Sequence, residues 1–158
     1  MTRHVIIDND GEFHVAIGDW RAEFKPHAPG RVTVPTLGAL GQWAGWVNDD
    51  SHPLGLPRNL VGGLVLTGLG AGVMPYAGPV IITGWDPHGI PIEVCDLTDA
   101  QITTILDCHT DARAAMAGEP GPLYERGREV AELMRTAPTP TVQVLSADEF
   151  FARTRGRS

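Results

Sequence analysis

Six residues with metal-binding or nucleophilic side chains, His88, Cys95, Asp107, Cys108, His109 and Asp111, fall within 24 positions of this 158-residue chain. Zinc takes Cys and His ligands at short paired spacings, yet the sequence has no C-x-x-C, H-x-x-x-H or H-E-x-x-H pair. Cys108 and His109 are neighbours, so on a helix their side chains diverge by about 100°. Asp107 and Asp111 share a helical face, where like charges repel. The expectation is core thiols, an anchored His109 and no metal site. A Cys95 nucleophile would gain from a following helix N-terminus and from His88 across a turn. Glu93 and Asp96 act against it by disfavouring the thiolate.

Two loops invite a ligand reading and lack its requirements. Asp8, Asp10 and Glu12 suggest a cation loop, but the alternating ligands, closing glutamate and flanking helices of a calcium site are missing. Gly68-Leu69-Gly70-Ala71-Gly72 leads into Val-Met-Pro-Tyr rather than the helix that a dinucleotide fingerprint needs. No catalytic residue and no cofactor is assigned. The remaining candidates are binding residues. Trp43 and Trp46 share a face if their segment is helical, and with Tyr76 and Trp85 they would line a groove for a partner. Asp49, Asp50, His52, Arg58 and Asn59 are the polar groups of the adjoining loop.

The elements that must position these groups suggest an α+β fold: a small mixed or antiparallel sheet with two to three C-terminal helices packed on it. Residues 4–7 and 12–17 predict a hairpin about the turn Asp8-Asn9-Asp10-Gly11. Residues 20–25 alternate like a strand, with Trp20, Ala22 and Phe24 on one face. Residues 36–47 place Leu37, Leu40, Trp43 or Ala44, and Val47 at helical spacing, which predicts a short glycine-rich helix. The apolar runs 60–67 and 79–84 predict two buried central strands, and Ile90–Val94 a short one. Thr98 and Gln101 form a capping box, with Leu97 and Ile102 as its staple. The helix it opens runs to about Ala117, with Ile102, Ile105, Leu106, His109, Ala112 and Met116 on its apolar side. A second helix runs over about 122–135 from Pro122, burying Leu123, Val130, Leu133 and Met134. A strand over 141–145 and a short helix from Ser146 complete one domain over 1–152. Its parts are sheet-rich 1–96, helical 97–135, and strand and short helix 141–152, followed by a frayed basic tail over 153–158.

Composition bounds the function. Nineteen acidic against 12 basic residues give a net charge of −7, which repels a phosphate backbone at long range. Nucleic acid is therefore not an expected partner, and the acidic residues are too scattered to imitate DNA. The apolar stretch 60–84 is broken by glycines and prolines, so no membrane span is expected. The start has no signal-peptide core. A cytoplasmic location follows, with Cys95 and Cys108 reduced.

Asn48-Asp49-Asp50, Gly55-Leu56-Pro57-Arg58-Asn59, Gly78-Pro79-Val80-Ile81-Ile82-Thr83-Gly84 and Leu97-Thr98-Asp99-Ala100-Gln101-Ile102 occur in that order. Over about residues 48–108 this resembles a small family of phage, plasmid and actinobacterial proteins of unassigned chemistry. The family has a G-L-P-x-N loop followed by a G-P-V-V/I-x-x-G strand. Its usual glycine–lysine turn is replaced here by Ser51-His52-Pro53. The resemblance implies a phage or mobile-element accessory protein in a bacterial host's cytoplasm. The leading functional expectation is a non-enzymatic protein that binds and modulates a host protein. One alternative is a small enzyme or ligand-sequestering protein using loops 48–59 and 68–78. The other is a homo-oligomeric structural protein.

Overall fold

The computed structural model describes residues 1–26, 29–32, 43–48, 54–72, 76–86, 88–89 and 93–137. The strand and helix expected over 141–152, the basic tail, and Asp49, Asp50 and His52 lie outside these residues. The described chain runs β1 (Thr2–Ile7), β2 (Phe13–Gly18), a 3-10 helix (Trp20–Phe24), β3 (Pro29–Val32), β4 (Trp43–Asn48), α1 (Leu60–Gly68), β5 (Val80–Asp86), β6 (Glu93–Cys95), α2 (Asp99–Met116) and α3 (Gly127–Thr136). The protein is α+β. Its sheet is antiparallel throughout, in the order β2-β1-β5-β4-β3, with β6 added to β5.

The first hairpin forms as its turn residues dictate. The Asp8 carboxylate accepts the Asp10 and Glu12 amides at 2.9 and 3.0 Å, and Gly11 adopts φ 79°. A side chain at Gly11 would also meet Val61 at 2.9 Å. Burial raises the Asp8 pKa, but the bonds from His14 and from the Glu12 and Asp10 amides outweigh it and hold the group below its ordinary value.

Three expected elements are corrected. Residues 60–67 are not a strand but α1, whose N-cap Asn59 accepts the Gly62 amide at 2.8 Å. Its residues from Val61 to Leu66 are all buried. A helix buried on every side has no amphipathic period, so its sequence reads like a buried strand. In the segment 20–25, Trp20–Phe24 is a 3-10 helix rather than a strand, and the Asp19 side chain caps it by accepting the Arg21 amide. Both Trp20 and Phe24 are nevertheless buried. Within the segment expected as a glycine-rich helix, residues 43–48 are strand β4, held between β3 and β5. Three glycines had already weakened the helix, and the ladder bonds decide the matter.

The capping box forms in full. Gln101 donates its amide to Thr98 Oγ1 at 3.2 Å and accepts the Thr98 amide at 2.9 Å. The buried face of α2 is Gln101, Ile105, Cys108, Ala112 and Ala115, one position round from the expected stripe, so Leu106 is left 43% exposed. The second helix begins at Gly127 and not at Pro122. It buries Gly127, Ala131 and Met134, while Leu123 and Leu133 stay exposed. Gly127 packs closely against Ala115 of α2 and the Glu119 carbonyl. The segment before it is used otherwise, since the Tyr124 hydroxyl donates to the Leu64 carbonyl.

Facing strand residues share a side of the sheet. Val5, Ile7, Trp43, Val80 and Ile82 point to the helices and form the main core with α1 and α2. Ile6, Trp46, Ile81 and Val94 lie on the opposite side with Trp20 and Phe24. Among the described residues no helix is long and apolar enough to cross a membrane.

Candidate functional site

The side of the sheet away from the helices carries the most distinctive surface. Trp46 Nε1 donates to Thr83 Oγ1 at 3.0 Å, which fixes the indole across β4 and β5. Its ring lies 4.4 Å from Trp20 and 6.2 Å from Trp85. Arg21 sits 4.4 Å over Trp20, and Arg31 sits 4.9 Å over Trp85. Trp46 and Trp85 are half-buried, and both arginines are exposed. Phe24 closes the cluster edge-on to Trp20. Asp19 holds the 3-10 helix that delivers Trp20, and also accepts Lys25 Nζ at 2.8 Å. These contacts with Lys25 and the Arg21 amide keep its pKa low. Trp20 is 3% exposed and Phe24 1%, so the apolar area on this face comes from half-buried Trp46 and Trp85, with positive charge from the two exposed guanidinium groups.

The structure divides the candidate binding residues. Trp46 and Trp85 belong to this face. Trp43 does not share it, because in a strand residues three apart point to opposite sides, and Trp43 is 2% exposed in the main core. Tyr76 is also in the core, with its hydroxyl 3.5 Å from the Gly72 carbonyl. Asn59 is 1% exposed. Its Nδ2 donates to the carbonyls of Ile7, Asp8 and Gly78 at 3.0, 3.0 and 3.1 Å. Arg58 donates to the carbonyls of Met134 and Arg135 at the end of α3, at 3.5 and 3.2 Å.

The G-L-P-x-N loop does meet the 76–78 segment, but through the main chain. Arg58 bridges Ala77, the Asn59 amide donates to Tyr76, and the Gly78 amide donates to Pro57. The side chains of Arg58, Asn59 and Tyr76 diverge into scaffold positions. Trp20, Arg21, Phe24 and Arg31 were missed by sequence reasoning. The aromatic pair in WRAEF is the signal for Trp20, Arg21 and Phe24, while no local pattern marks Arg31.

Among the described residues no three His, Cys, Asp or Glu side chains are grouped so as to hold a metal ion. His109 Nε2 donates to the Gly11 carbonyl at 2.7 Å and its ring packs on Phe13. Cys108 is buried, and its pKa is pushed up to about 11 by burial and then by Asp111 and Asp107. It borders a cleft of about 450 Å³ that Asp107, Asp111 and Leu123 also line. Burial, then Asp86 and Asp96, raise the Cys95 thiol. Neither thiol has the lowered pKa that nucleophilic work requires. Compared with protein-family models, curated proteins and solved structures, the chain matches none of them.

Proposed function

We propose that this protein is a binding module that engages another protein through the tryptophan face of its sheet. The observation that carries this reading is the group Trp20, Trp46 and Trp85 with Arg21 and Arg31 above it. Trp and Arg dominate the energetics of protein interfaces because they combine large contact area with directed polar groups. Two guanidinium groups on an otherwise acidic chain favour a partner patch that is apolar at its centre and acidic at its rim. The resemblance in loops 48–59 and 78–84 supports placing that partner in a bacterial host, with this chain as a phage or mobile-element accessory protein that modulates it.

The test is capture from bacterial lysate by immobilised wild-type protein and by a Trp85→Ala/Arg31→Glu variant with unchanged circular dichroism. The reading expects one stoichiometric host protein on the wild type, lost on the variant. Background proteins alone on the wild type, or equal retention by both, would overturn it.

A further inference from the structure

The two edges of the sheet are built differently. At one edge β3 is four residues long and contains Pro29, Gly30 and Arg31, which are among the devices that keep an edge from pairing. At the other edge β2 is the six-residue strand Phe-His-Val-Ala-Ile-Gly, with no proline, lysine or carboxylate. Among the described strands it has a neighbour on one side only.

The outward hydrogen-bonding groups of β2, those that no other described strand pairs, can be assigned. The Asp8 amide donates to the Glu12 carbonyl, so residues 8 and 12 form a hydrogen-bonded pair. The Arg3 amide and carbonyl instead bond Asp96 and Leu97, away from β2. With Arg3 opposite Ile17 in the register, alternation turns the amides and carbonyls of Phe13, Val15 and Ile17 outward. The side chains of these three residues lie on the helix side of the sheet. Val15 is 47% exposed and Ile17 is 68% exposed.

Helix α2 runs antiparallel to β2 along this side, fixed by Arg3–Asp99 at one end and by His109–Gly11 and Arg113–Glu12 at the other. Leu106, on the turn before His109, extends the apolar surface between those anchors.

We propose that a second copy of this chain pairs with β2, strand against antiparallel strand, about a two-fold axis at Val15. Phe13 then faces the partner's Ile17, and Val15 faces the partner's Val15. Both contacts are apolar, and all three outward amide–carbonyl sets are satisfied. The same axis sets the Arg3–Asp99 end of one copy beside the Glu12–Arg113 end of the other. Each end carries one positive and one negative group, so no like-charge pair is forced together. The interface is isologous and closes at two copies. It unites two sheets, and the tryptophan face is not used in it.

Sedimentation across a dilution series tests the proposal, with amide hydrogen exchange read at low and high concentration. The wild type is expected to dimerise, with the Phe13, Val15 and Ile17 amides becoming protected as the dimer forms. Ile17→Lys is expected to weaken dimerisation by at least about ten-fold while leaving circular dichroism unchanged, since its side chain is exposed. A wild-type monomer at every concentration would overturn the proposal. So would a dimer whose three amides stay exposed, or one that Ile17→Lys leaves intact.

Discussion

Asn59 reaches Ile7 across 52 positions of sequence, its Nδ2 donating to the Ile7 carbonyl at 3.0 Å. The same side chain accepts the Gly62 amide at the start of α1, so one buried amide joins β1, α1 and the 76–78 segment. Asn59→Ala is expected to cost about 3–5 kcal/mol, because it removes a helix cap and leaves buried carbonyls without a donor. Asn59→Asp keeps the acceptor for Gly62 but turns a carboxylate toward three carbonyls, and is also expected to destabilise. Urea unfolding checks both.

Gly127 meets α2 at backbone distance. A methyl group there would stand 2.6 Å from the Glu119 carbonyl oxygen and 2.8 Å from Ala115 Cα. Gly127→Ala is expected to lose about 1–3 kcal/mol through overpacking, despite the better helix propensity of alanine. Gly18→Ala, at the end of strand β2, meets nothing within 4 Å and is the control for an added methyl group without a clash. Thermal melts of the two variants compare the methyl group with and without close packing.

Arg58 satisfies carbonyls that the last turn of α3 leaves without intrahelical donors. Arg58→Ala is expected to fray that turn, at about 1 kcal/mol. Faster amide exchange over 133–137 with unchanged protection in α1 would be the signature. Equal loosening of both helices would contradict it.

Both thiols should make stability fall in alkali. Cys108 holds its proton in the folded protein up to about 11, whereas the unfolded thiol releases it near its ordinary value of 9.0. The folded state therefore binds more protons between these values, and stability present below pH 9 is lost as pH rises toward 11. The Cys95 shift has the same sign. Urea midpoints of wild type and Cys108→Ala across this range check it, with the variant expected to show the shallower decline. At pH 8, iodoacetamide should modify exposed Cys95 well before buried Cys108.

By itself the sequence determined what rests on neighbouring residues: the Asp8–Gly11 hairpin, the Thr98–Gln101 capping box, the stop at Gly118 and strand β5. Their signals are side-chain-to-backbone bonds and periodicities that act within a few positions. Tertiary structure decided the rest. The run at 60–67 is helical because it is enclosed on all sides and capped by Asn59. Trp43 and Trp46 part company because β3 and β5 make their segment a strand. The candidate face exists only because strand register brings Trp46 and Trp85 together and a 3-10 helix lays Trp20 beside them. Those contacts join residues tens of positions apart, and no local pattern of residue types encodes which sheet face a side chain will share.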